Sequence, residues 1–156
     1  MLAFGACALF GSVRQARGAK AVADLASFRG DLVETENLMR QSRTPLPEIA
    51  AKLAESGRCP AFWEAVSRGL AGGLSFREAY SAAPKPELPA GAAEVADGLA
   101  AALGTGDLQT ESERLTAAAE RLAPMLSDLE KSTAEKGKLI RSLSLLAGLA
   151  AALLIL

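Results

Sequence analysis

Apolar residues return along most of this chain with the period of an α-helix, and prolines, glycines and short polar runs cut the pattern into segments. Between Ala19 and Gln41, Ala21, Leu25, Phe28, Leu32, Thr35 and Met39 recur every three or four residues, the spacing of a single helical face. Asp24, Arg29, Asp31, Glu34, Glu36 and Arg40 are expected to fall largely outside that stripe, on a solvated face. Glu36 and Arg40 stand four apart, as an exposed ion pair does.

The run Arg43-Thr44-Pro45-Leu46-Pro47-Glu48 predicts a sharp corner. Thr44 is the expected N-cap, its hydroxyl accepting a free backbone N–H, and Pro45 takes the first helical position, where no donor is needed. Leu46, Ile49, Ala50 and Leu53 then form one face, and Gly57 closes the second helix. Pro60 opens a third, with Phe62, Val66 and Leu70 inward, Trp63 half-buried, and Gly72-Gly73 at its end. Ser75 and Glu78 make a capping box for a short fourth helix that runs to about Ala83. Pro84, Pro86 and Pro89 exclude helix and sheet and leave an extended connector.

A fifth helix, Ala90–Leu103, places Ala92, Val95, Leu99, Ala102 and Leu103 on one side. Gly104 ends it and Asp107 caps the sixth. With no strand before Gly104-Thr105-Gly106 and no Lys-Ser/Thr after, this is a helix–helix turn and not a phosphate loop. The sixth helix has Leu108, Leu115, Ala118, Leu122, Met125 and Leu129 on its core face. Pro124 is expected to bend it. From Asp128 onward its surface is charged, with Glu130, Lys131, Glu135, Lys136 and Lys138.

Both ends break the amphipathic pattern. Leu139–Leu156 carries ten Leu and Ile residues and a single charge, Arg141. As a helix it spans roughly 27 Å, near the ~30 Å hydrocarbon core of a bilayer. A buried C-terminal core helix is the alternative, and a transmembrane helix the better reading. Met1–Val13 is apolar and is followed by Arg14, Arg17 and Lys20. It fits a short membrane anchor, with a signal-peptide core or a helix packed on the domain as alternatives. A signal peptide usually carries its charge before the apolar run. The expected division is an apolar membrane segment at 1–18, a helical bundle at 19–138, and the membrane tail at 139–156.

Charge fixes the expected sidedness. Arg14, Arg17 and Lys20 follow the first apolar segment, and Lys131, Lys136, Lys138 and Arg141 flank the second. The positive-inside rule then puts the bundle in the cytoplasm, at the cell membrane. The basic residues near the tail are also placed to touch anionic lipid heads.

Composition narrows the rest. Hydrophobic residues make up 50% and aromatics 4% of the 156 residues, so the apolar content is mostly Ala and Leu and the fold class is all-α. A net charge of −1 gives no field to attract nucleic acid. There is no histidine, which removes the usual general base near neutral pH and every His-dependent triad. Cys7 and Cys59 lack the paired spacing of a zinc or redox motif and read as free thiols. No catalytic, cofactor-binding or metal-ligating set emerges, and neither an enzyme nor a small-molecule substrate is expected.

The order of these features resembles the stage III sporulation protein AB family of endospore-forming bacteria. Thr44-Pro45-Leu46 is similar to that family's Thr-Pro-Leu corner. Gly73-Leu74-Ser75 through Ala79-Tyr80 resembles its short-helix segment, with Tyr80 where an aromatic is usual. Leu103-Gly104 and Asp107 resemble its Leu-Gly…Asp turn. Arg141-Ser142-Leu143 followed by Leu146, Gly148 and Leu149 looks like its membrane segment. Ser144 stands where the family often has Gly, and Pro124 interrupts a helix that is usually continuous.

The resemblance implies a six-helix bundle of the kind found in the cytoplasmic domain of type II secretion F-type platform proteins. It further implies a non-enzymatic scaffold of the channel between mother cell and forespore, on the mother-cell side of the forespore outer membrane. The implied partners are the stage III sporulation AA ATPase and other membrane proteins of the same operon. The competing expectation is a membrane-tethered helical adaptor or regulator outside sporulation.

Overall fold

A computed structural model describes the backbone of residues 2–155 and the side chains of residues 16–139, 142 and 143. Six helices follow one another: α1 Leu2–Ser42, α2 Leu46–Ser56, α3 Pro60–Ala71, α4 Phe76–Ala82, α5 Ala90–Ala102 and α6 Leu108–Ile155. No strand occurs among the described residues. The chain is all-helical, as its Ala- and Leu-rich composition predicts.

The first helix does not begin at Ala19. The apolar N-terminal segment and the amphipathic stretch are one continuous helix from Leu2 to Ser42. Nothing between Val13 and Ala19 can stop it, since no proline or capping residue intervenes, and glycine lowers helix propensity without ending a helix. Gly18 faces α6, where a β-carbon at this position would lie 3.4 Å from Thr133 Cγ2. Gly18 therefore sits at the point of close approach between the two long helices.

Those two helices run antiparallel. Gly18 lies against Thr133, Arg29 Nε donates to the Ala119 carbonyl at 3.0 Å, and Ser112 Oγ donates to Glu36 Oε1 at 3.3 Å. As α1 advances, its α6 partners recede. α6 runs unbroken through Pro124, which has no amide to offer the Glu120 carbonyl. Arg29 reaches across to the carbonyl one residue earlier, on the same turn.

Helices α2–α5 pack around one end of this pair. Leu25, Phe28, Leu32 and Met39 from α1 are buried with Ile49, Leu53, Val66, Leu99, Leu115 and Leu122. The predicted stripes of α1, α2 and α5 therefore face the core. At its centre Phe62 meets Phe28, Trp63 and Tyr80 edge-on, at 5.9, 5.1 and 5.8 Å between ring centroids, the geometry aromatic quadrupoles favour. The void beside these rings is about 10 Å³, at or below what one water needs. The core is closed.

Four local expectations need correction. Thr44 does not cap α2. The helix starts one residue later, and the Pro45 carbonyl takes the amides of Glu48 and Ile49 at 3.0 and 3.1 Å. Pro47 thus occupies the second helical position, and Leu46 is buried as expected. The Thr44 amide instead turns back to the Leu38 carbonyl at 3.4 Å, because Arg43 closes α1 at φ 51°. Trp63 is fully buried, not half-buried. Leu108, expected in the core, is 41% exposed, while Glu111 and Ser112 of the same turn are buried, so the turn presents a different face to the bundle. Asp31, expected on the solvated face, has no exposed surface at all.

Among the described residues no helix is long and apolar enough to cross a membrane. The transmembrane reading of Leu139–Leu156, like the anchor reading of residues 1–18, falls mainly on side chains outside the described residues.

Candidate functional site

Asp31 is the residue around which the α1–α3 junction is built. The end of α2 and the start of α3 bring three N–H groups toward it. Its Oδ1 accepts from the Arg58 amide at 2.8 Å, and its Oδ2 from the Cys59 amide and Trp63 Nε1, each at 2.9 Å. Arg58 Nη1 stands 3.8 Å away. Neither Cys59 nor any other residue of the α3 corner supplies a side-chain cap, so a carboxylate from another helix satisfies these free amides. A buried acid is tolerable only with such a set of donors. Burial, and then the charge of Asp31, push the Cys59 thiol up to about 12, which keeps it protonated and unreactive.

Glu111 repeats the device at the other corner. Buried in the first turn of α6, it accepts from the Gly104 amide at 2.7 Å and the Gly106 amide at 3.3 Å. Asp107 caps α6 as predicted, Oδ1 accepting from the Thr110 amide at 2.7 Å, and this holds its carboxyl below the usual range. Gly104 adopts φ 81°, where a side chain would be strained. The Ser75–Glu78 capping box is complete in both directions, and the Ser75 hydroxyl and amide hold Glu78 low.

Both missed acids carried a signal. Asp31 is three residues after Phe28 and four before Thr35, and Glu111 is four before Leu115. Each therefore lies on the core face by helical spacing alone. An acid on a core stripe calls for buried donors, and reading every charge as solvated overlooks it.

The proline connector is tied to α1. Glu87 donates its amide to Asp24 Oδ2 at 3.0 Å and receives Lys20 Nζ on Oε2 at 3.0 Å. Lys20, one of the predicted membrane-flanking bases, is thus paired with Glu87 and with Asp24 at 3.4 Å. Lys85 lies over the Tyr80 ring, 4.3 Å from its centroid, and bonds Asp97 at 3.2 Å.

The other flanking bases behave differently. Arg17, Lys131, Lys136 and Lys138 are exposed and have no side-chain hydrogen bond or ion pair among the described residues. Arg14, Arg141 and Gly148 fall outside the described side chains. Among the described residues, open grooves flank the α1–α6 pair at either end. One, about 460 Å³, runs between Ala19, Val22, Thr133, Ala134 and Lys138. The other, about 430 Å³, lies at the opposite end between Met39, Arg43, Leu108 and Ser112. Among the described residues no three His, Cys, Asp or Glu side chains converge as a metal site would require.

Among the described residues the arrangement offers helical surfaces and a two-helix stalk. Residues 1–156 match the family model described as stage III sporulation protein AB. The chain belongs to that family. Membership in the stage III sporulation protein AB family assigns it a role in sporulation, and the match spans the bundle and both apolar ends alike. Neither a curated protein nor a solved structure matches the chain.

Proposed function

We propose that this protein is a non-enzymatic, membrane-anchored platform of a secretion-like complex needed for endospore formation. The observation that carries the reading is the whole-chain family match. The antiparallel stalk supports it, because α1 and α6 both run from the bundle toward the apolar ends of the chain. Leu139–Leu156 is the proposed transmembrane helix, and the first apolar segment a second anchor. The bundle, of the type II secretion F-domain kind, stands on the cytoplasmic side, facing the mother cell at the forespore outer membrane. Its partners are the stage III sporulation AA ATPase and membrane proteins of the same operon.

A platform needs rigid, solvent-facing helices more than it needs a pocket, and the closed core and buried capping acids provide them. The test is recovery of the ATPase with the full chain from sporulating membranes. Charge reversal at exposed Glu94, Glu113 and Arg121 should reduce recovery without loss of folding. Failure to recover any operon partner under crosslinking would remove the reading.

A further inference from the structure

The two basic flanks are more than a hundred residues apart in sequence, and the antiparallel register brings them to one level. With Gly18 beside Thr133, a helical rise of about 1.5 Å per residue fixes the heights. Measured from that contact toward the apolar ends, Arg17 lies about 1.5 Å on, Lys136 about 4.5 Å, Arg14 about 6 Å, Lys138 about 7.5 Å and Arg141 about 12 Å. Five basic residues therefore fall in a band roughly 10 Å deep, close to the Debye length of about 8 Å at physiological salt. Glu135 is the one acid in the same stretch of sequence.

On the bundle side the balance reverses: Asp24, Asp128 and Glu130 stand against Lys20 and Lys131, and Lys20 is already paired. Beyond the band, residues 2–13 and 142–155 carry no charged side chain. Arg17, Lys136 and Lys138 are exposed and without an internal partner among the described residues. Their charges are satisfied by nothing in the bundle, and they stand where uncharged helix begins.

We propose that Arg14, Arg17, Lys136, Lys138 and Arg141 form a basic collar that binds the phosphate-bearing headgroups of anionic phospholipids. The inference rests on the membrane-anchor reading above. The collar draws on both helices, so it selects lipid only when α1 and α6 are paired, and it holds the bundle at a fixed height over the headgroups. A soluble acidic protein is the poorer occupant, because the charge-free helices continue directly from the collar.

The test uses the full chain reconstituted in phosphatidylcholine vesicles with spin-labelled tracers of phosphatidylglycerol or phosphatidylcholine. The motionally restricted fraction should favour phosphatidylglycerol by roughly threefold or more at low salt and approach parity at high salt. The combined Arg14→Gln, Arg17→Gln, Lys136→Gln, Lys138→Gln and Arg141→Gln variant should lose the preference while keeping the native emission of Trp63. Lys52→Gln with Arg77→Gln, exposed basic residues of the bundle, should retain it. A chain that alkaline carbonate strips from neutral vesicles overturns the anchor reading and the collar with it. A chain that stays inserted but shows equal association, or selectivity that survives the fivefold substitution, overturns the collar alone.

Discussion

Asp31 and Cys59 show how one side chain sets the chemistry of another. Three N–H groups converge on a carboxylate with no exposed surface, so an amide in its place offers one acceptor oxygen and turns an NH₂ toward a donor. Asp31→Asn should cost about 2–4 kcal/mol. Denaturant unfolding of the full chain in detergent, followed by the emission of its single tryptophan, measures this, and a loss under about 0.5 kcal/mol would show that the amides find other partners. Cys59 gives a chemical readout of the same junction. Its thiol is pushed up to about 12, so in a Cys7→Ser background alkylation at pH 8 should be far slower when folded than after unfolding. The sign is set by the raised value: the neutral thiol is favoured in the fold, and this contribution is lost as pH rises from 9.0 toward about 12. Combining the Cys7→Ser background with Asp31→Asn should speed alkylation of the folded chain, because the junction that buries the thiol loosens.

At the scale of the helix, two glycines separate propensity from packing. Gly98, inside α5, has nothing within 4 Å of where a β-carbon would stand. Gly98→Ala should stabilise the protein by about 0.5–1 kcal/mol through helix propensity and the unfolded chain. Gly69, inside α3, would place its β-carbon 2.8 Å from Ala79 Cβ, so Gly69→Ala should destabilise it by forcing α3 from α4. Thermal melts of the two variants should move in opposite directions. The capping box of α4 makes a prediction in pH. Glu78 is held below its ordinary value of 4.5 by the Ser75 hydroxyl and amide, so its contribution is present above 4.5 and lost as pH falls through the lower folded value. The stability gap between wild type and Glu78→Gln should therefore close on acidification. A gap that persists to pH 2 would place the effect elsewhere. Ser75–Glu78 and Asp107 were legible because a cap and its target lie three residues apart. Thr44 misled because the neighbouring Arg43 takes a left-handed conformation that no local pattern announces.

Over the whole molecule, α1 and α6 run unbroken and antiparallel from the bundle into the stalk. Inserting one alanine after Lys131 turns everything beyond it by about 100° and moves Thr133 off Gly18, whereas four restore the facing to within about 40°. Sporulation counts should fall steeply with the single insertion and recover in part with four, while Trp63 emission stays native in both. Equal defects would argue that length, not facing, is what matters. Six helices, their bounds within a few residues except for the start of α1, most of the core stripes and the uncharged ends could be read from residues a turn or two apart, because helical period and capping are local relations. The donors that satisfy Asp31 and Glu111, the full burial of Trp63, the fusion of the first apolar segment with α1, and the meeting of the two basic flanks could not. Each depends on which surfaces pack together across the core, and that is decided only when the buried faces of all six helices are satisfied at once.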